Sequence, residues 1–185
     1  VKKLKFIALG AASLALLSAC DKNGDNPAAP TAESAKAAGE DTIAKGLPGG
    51  SKFAEAAKSV GLDATLGGPG PYTVLVPTDA AFDKLPAGAL DTLMKPESRA
   101  DLTGVLSYHI LPGTMLAEDI GKAIDAGGGK TEIATMGGGT LTATKEGDKI
   151  VLTDAAGTKA IVTTADSKRS NGVVHEIDSV LMPSK

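Results

Sequence analysis

The side chains of this chain that could do chemistry are few: one cysteine, Cys20, and two histidines, His109 and His175. A thiol is a nucleophile and an acceptor for covalent modification. Two imidazoles could form an acid–base pair or begin a metal site. A lasting metal site needs three or four ligands, and no dense Cys/His cluster accompanies the histidines. Each is therefore read as a hydrogen-bonded residue that locks a turn or a strand edge, because buried imidazole nitrogens need partners. Gly129-Lys130-Thr131 looks like the end of a phosphate-binding loop, but Ile124 stands where that loop requires glycine, and no strand feeds it. The sequence holds neither a Gly-x-Ser-x-Gly elbow nor His-Glu-x-x-His. Arg-Gly-Asp is absent too, and the 22 Asp and Glu are scattered in the manner of a solvated face. No catalytic residue, cofactor or metal site is assigned.

Cys20 has a setting of its own. Lys2, Lys3 and Lys5 precede an apolar run from Phe6 to Leu17, broken only by Gly10 and Ser13, and Leu17-Ser18-Ala19-Cys20 closes it. This is the three-part order of a secretory signal. Its apolar stretch falls short of the ~20 residues that span a bilayer as a helix. The small residues before the cysteine resemble the cleavage site of bacterial lipoproteins. In that class the sulfur carries a diacylglycerol and Cys20 becomes the first mature residue. Two or more acyl chains hold a protein stably to a membrane where one does not. The reading therefore expects a signal over 1–19 and a lipid on Cys20 at the periplasmic side of the inner or outer membrane. Asp21 resembles the enterobacterial signal for inner-membrane retention. Residues 21–40 contain no large apolar side chain, so nothing offsets the entropy of ordering them. They are expected to form a tether spanning roughly 25 Å. Residues 41–184 are one domain's worth of chain.

Charge narrows the partners. The three signal lysines leave 16 Lys and Arg against 22 Asp and Glu in the mature chain, about −6. Phosphate backbones repel such a surface. Its four aromatics, Phe53, Tyr72, Phe82 and Tyr108, are too few for a base-stacking or sugar-stacking platform. Nucleic acid is excluded as a partner.

The elements that must position the histidines can be read along the chain. Phe53, Ala56, Ala57 and Val60 recur at helical spacing over Ser51–Val60, and Gly61 supplies the stop. Gly67 to Pro71 is a turn, and Tyr72–Val76 a buried strand. Thr78 can cap a short helix through Phe82 and Leu85, with Asp79 at its positive end. Pro96 opens a third helix, on which Leu102, Val105, Leu106 and His109 share a face before Pro112-Gly113 turns the chain. Glu118–Ala126 is a fourth, ended by three glycines. Strands follow at 131–135, 140–144, 149–153, 158–163 and 173–177. Asn171-Gly172 starts the last of these, whose Val173, His175 and Ile177 share one face. Helices first and an antiparallel meander second predict an α+β domain.

Three blocks then resemble the signatures of fasciclin domains: Tyr72-Thr-Val-Leu-Val-Pro-Thr-Asp-Ala-Ala-Phe82, Leu106-Ser-Tyr-His-Ile-Leu-Pro-Gly113 and Asn171-Gly-Val-Val-His-Glu-Ile-Asp-Ser-Val-Leu-Met-Pro183. The resemblance implies a compact β-sandwich or wedge of antiparallel strands flanked by several short helices, exported from the cytoplasm. It implies a role in adhesion or in contact with a protein or matrix polymer, and no enzymatic activity. It marks Thr78, Asp79, Tyr108, His109, Asn171 and His175 as interaction or structural residues, the Tyr-His pair lying in a region tied to receptor contact in animal members. A second reading is a carrier for a hydrophobic ligand such as a lipid or carotenoid. It is motivated by a domain rich in small and aliphatic residues and poor in aromatics.

Overall fold

The structure, a computed structural model, describes residues 41–183. Cys20, the signal over 1–19 and the tether over 20–40 lie outside the described residues, as do the last two residues. The helical half opens with α1 (Ile43–Gly46), α2 (Lys52–Val60) and α3 (Leu62–Gly67). Ser51 caps α2 by accepting the Ala54 N–H at 3.3 Å, and Gly61 ends it in the left-handed region at φ 80°. Strand β1 (Tyr72–Pro77) follows, then α4 (Asp79–Asp83), α5 (Ala89–Leu93), a 3-10 turn at Pro96–Ser98 and α6 (Arg99–Tyr108). After β2 (Ile110–Pro112) and α7 (Ala117–Ala126) come β3 (Lys130–Ala134), β4 (Thr140–Glu146), β5 (Lys149–Thr153), β6 (Lys159–Arg169) and β7 (Gly172–Ile177).

The seven strands form one sheet in the order β2-β1-β7-β6-β5-β4-β3. It curls until its edges approach: the Met136 N–H just past β3 donates to Ile110 O of β2 at 2.8 Å. From β3 to β7 neighbours are antiparallel, as the alternating pattern predicts. The expectation of purely antiparallel strands fails at one place. β1 runs parallel to β7, Leu75 opposite His175. A parallel pair needs a long crossover between its strands, and here nearly the whole domain serves as that crossover.

Burial of β1 on both faces explains its continuous apolar run. Val74 and Val76 face a core built with Phe53, Leu66, Phe82 and Leu106 of the helices. Leu75 faces a second core with Leu111, Leu141 and Leu152 of the curled sheet and Ile124 of α7. The sheet is thus the partition between two cores.

Several expectations shift. Pro96 starts a 3-10 turn rather than the α-helix, which begins at Arg99. The helix capped by Thr78 ends at Asp83, short of Leu85. His109 is not on the helical face but closes α6 at φ −86°, ψ 0°. Ile110–Pro112, for which no strand is expected ahead of the turn at Pro112-Gly113, pairs with β1 as a strand. α1, α3 and α5 are too short to show helical periodicity, and β6 continues to Arg169 through bulges that break its alternation.

The β1–β7 junction admits no side chain at Gly172. A Cβ there would stand 1.9 Å from Tyr72 O and 2.9 Å from the Ile43 side chain. Gly172→Ala must push apart the backbones of two central strands, at a cost of about 3 kcal/mol. Urea unfolding should show the midpoint falling accordingly; an unchanged midpoint would refute the close approach.

Candidate functional site

The residues of the three blocks do not converge on one cleft. Each binds a different junction of the fold. Thr78 follows β1; its N–H donates to Ile177 O at 3.0 Å and its hydroxyl accepts the Ala81 N–H at 3.3 Å. Asp79 turns away from its own helix to accept the Lys52 N–H at 3.0 Å, which caps α2 from a distance. The Lys52 ammonium pairs with Asp83, so α2 and α4 are tied twice.

Tyr108 and His109 end α6 beneath the sheet. The Tyr108 hydroxyl donates to Thr140 O at 2.8 Å. Its ring lies where a Cβ on Gly139 would come within 2.6 Å, so the Gly137-Gly138-Gly139 turn closes over it. Burial raises the phenol above its ordinary value. His109 is 1% exposed, with the Phe53 ring edge-on at 6.3 Å. Its Nδ1 faces Val105 O at 2.8 Å and therefore carries the proton, while its Nε2 accepts the Leu181 N–H at 3.1 Å. The imidazole ties α6 to the segment after β7.

His175 has the opposite tautomer. Its Nε2 donates to Met115 O at 2.8 Å and its Nδ1 accepts the Asp166 N–H at 3.2 Å. Asp166 sits at φ 59° within the irregular stretch of β6, and its carboxylate accepts the Ala117 N–H at 2.8 Å, at the start of α7. Main-chain pairing through Leu75 separates the two histidines: Leu75 donates to His109 O on one side and stands opposite His175 on the other. The rings share no partner, and no cluster of three or more metal-ligating side chains occurs among the described residues.

Asn171 makes the densest set of contacts. Its amide nitrogen donates to Leu66 O and Gly68 O, both at 2.8 Å, and its side-chain oxygen accepts the Ile43 N–H at 2.8 Å. Its backbone carbonyl accepts the Tyr72 N–H at 3.1 Å. One residue joins α1, α3, β1 and the β6–β7 turn.

Sequence reasoning passed over three aspartates. Buried Asp154 accepts N–H groups from Ala156, Thr158 and Met182 at 2.8–2.9 Å. Asp154 to Gly157 does carry the signature of a side-chain-stabilised turn; its hold on Met182 has no local signal. Asp166 has none either. Asp178 accepts from Ile161 N–H and pairs with Lys84 at 3.1 Å. Burial alone would raise its carboxyl; the Ile161 N–H, with Lys84 and Ser179, brings it below the ordinary value.

Among the pockets on the surface of residues 41–183 are two open ones. One, about 380 Å³, lies between α7 and the β4–β5 hairpin. Lys122 pairs with Glu118 and Lys145 with Asp125, each at 2.6 Å, and Asp148 adds a third carboxylate to the lining. The other, about 300 Å³, is formed by Pro69–Pro71, Thr114 and Ser170–Gly172. The large hydrophobic side chains exposed among the described residues are Met94 and Met136, so the surface of residues 41–183 offers no broad greasy docking face.

The histidines set a dependence on pH. Burial lowers His109 from 6.5 to about 4, against the opposing pull of Val105 O and Asp154. Burial lowers His175 as well, opposed by Met115 O and Asp166. The unfolded chain takes up these protons first as pH falls, so their stabilisation is complete above pH 6.5 and declines below it, for His109 down to about 4. His109 alone accounts for a loss of about 3 kcal/mol over that window. Asp178, also lowered, acts in the same direction at lower pH, as pH falls through the ordinary carboxylate range. Urea midpoints at neutral pH and near pH 4 should differ, and His109→Gln should flatten the difference. Equal stability at both would contradict neutral, buried imidazoles.

Comparison with known proteins agrees with this geometry. The family model for the fasciclin domain matches residues 48–183. The chain is 35% identical over 141 residues to Protein sll1483 of Synechocystis sp., covering 76% of this chain and 71% of that protein. It is 38% identical over 124 residues to the pig transforming growth factor-beta-induced protein ig-h3, covering 66% of this chain but 16% of that much longer one. In structure it resembles a FAS1 domain pair from the insect cell adhesion molecule Fasciclin I, at a TM-score of 0.52 and 23% identity, over 70% of this chain and 44% of that one. The three blocks are thus the fastenings of a known α+β fold, and the chain belongs to the fasciclin domain family.

Proposed function

We propose that this protein is a contact module of the cell envelope: a fasciclin domain held outside the cytoplasm by a lipid on Cys20, spaced from the membrane by residues 21–40, and engaging a protein or matrix partner. One observation carries the reading. The nitrogens of His109 and His175, and the side-chain groups of Tyr108 and Asn171, are engaged in internal hydrogen bonds. Groups so engaged are not available to a substrate, and what is left for function is the outer surface. That surface is polar and charged, as non-obligate contact surfaces largely are. A fasciclin domain pair in an insect cell adhesion molecule supports the same class of role. No helix among the described residues is long and apolar enough to cross a membrane, so attachment through this part of the chain would need a covalent anchor or a partner.

Two measurements test the reading. Wild-type protein should fractionate with membranes and leave them in detergent, whereas Cys20→Ser should be soluble; a Cys20→Ser protein still wholly membrane-bound would defeat the anchor. Deleting the gene should weaken cell aggregation, biofilm formation or host attachment, with recovery on complementation. No change in any of the three would count against a contact role.

A further inference from the structure

Asn171 and Gly172 are neighbours in the chain, and the fold requires each for a different reason. The Asn171 side chain offers two donors to Leu66 O and Gly68 O and an acceptor to the Ile43 N–H, all at 2.8 Å. Gly172 is required because a Cβ would strike Tyr72 O. The junction of β1 and β7 is therefore built on an Asn-Gly pair, half-buried at the asparagine and buried at the glycine.

In an open chain that pair is chemically fragile. The backbone nitrogen after an asparagine can attack the side-chain amide carbon. A glycine lacks the Cβ that would hinder the attack and reaches the necessary backbone angles freely. The Gly172 nitrogen bonds to Asn171 Cγ and gives up its proton to solvent, and the side-chain nitrogen takes a proton and leaves as ammonia. The product is a five-membered succinimide. Water then adds to one of its two carbonyls. Breaking the new N–Cγ bond gives aspartate; breaking the original peptide N–C bond gives isoaspartate. One water enters and one ammonia leaves, with no oxidation or reduction.

The fold opposes each step. An amide held on three sides cannot turn Cγ toward the Gly172 nitrogen. Its nitrogen faces two carbonyls, neither of which can supply the proton that ammonia needs. The Tyr72 N–H, donating to Asn171 O at 3.1 Å, holds the peptide group that would have to rotate. We infer that Asn171-Gly172 is a site of spontaneous deamidation that the fold keeps closed and that reacts when the β1–β7 junction opens. The change runs one way. Aspartate turns an acceptor toward Leu66 O and Gly68 O where two donors stood. Isoaspartate also lengthens the main chain by one carbon at the start of β7, which displaces its register with β1. A chain converted while open cannot rebuild the junction, so time spent open becomes a covalent loss. This durability limit stands apart from the contact role and does not depend on it.

Peptide mass mapping of the purified chain, incubated at mildly alkaline pH with and without guanidinium chloride, tests it. In denaturant the peptide containing Asn171 should gain one mass unit over days and split into aspartate and isoaspartate forms. Asn23-Gly24, the same dipeptide outside the described residues, should convert there at a similar rate. Without denaturant Asn171 should convert at least about a hundredfold more slowly, the scale set by the rarity of opening. Asn171→Gln, whose longer side chain would have to close a six-membered ring, should stay unconverted in denaturant, where folding plays no part. Returned to native buffer, the converted chain should show a urea midpoint below that of the unconverted chain. Equal rates with and without denaturant, no conversion of Asn171 in denaturant, or a converted chain that recovers the wild-type midpoint would overturn the inference.

Discussion

The parallel pairing of β1 with β7 is the constraint on which the rest of this structure depends. It joins the beginning of the domain to its end, across some hundred residues of crossover. Strands β3 to β6 are placed by their neighbours in the meander, and this pair is the strand ladder that joins the meander to the helical half. A long loop carries an entropic cost that grows slowly with length, and a parallel pair recovers slightly less per residue than an antiparallel one. The junction is accordingly reinforced by side chains. Asn171 fastens α1 and α3 where β7 begins, Gly172 lets the strands meet, and the Thr78 N–H continues the pairing to Ile177 O at the far end.

The histidines repeat this logic one layer out. Each imidazole satisfies one backbone donor and one backbone acceptor that no ladder reaches. Such groups would otherwise be buried unpaired. A neutral imidazole suits the task because it offers one donor and one acceptor on a rigid ring, and burial keeps it neutral near physiological pH. The residues that look most chemical in the sequence thus do structural work, and the molecule's outward behaviour falls to its polar surface.

Much of this was legible beforehand, and the failures have a common cause. Ser51, Gly61, Thr78 and the glycine turns act within a few residues of themselves, so local chemistry placed α2, α4 and the hairpins. The inward direction of His175 followed from strand alternation. What escaped were features decided by distant partners. His109 left its helical face because its Nε2 meets Leu181, 72 residues on. Ile110–Pro112 became a strand because β1 offered an open edge. Asp166 gains its meaning from Ala117, and Asp154 from Met182. The parallel register of β1 and β7 is likewise invisible in either strand alone.

The central claim is that the signature residues are fastenings rather than a contact surface. Asn171→Asp tests it most directly, since it keeps shape and the acceptor for Ile43 while replacing two donated hydrogen bonds with a carboxylate facing two carbonyls. Native-state hydrogen exchange on this variant should show protection falling together in α1, α3, β1 and β7, with global stability down by about 3 kcal/mol. Protection and stability like those of the wild type, accompanied by lost attachment on cells, would contradict the account and make Asn171 part of the partner's binding face.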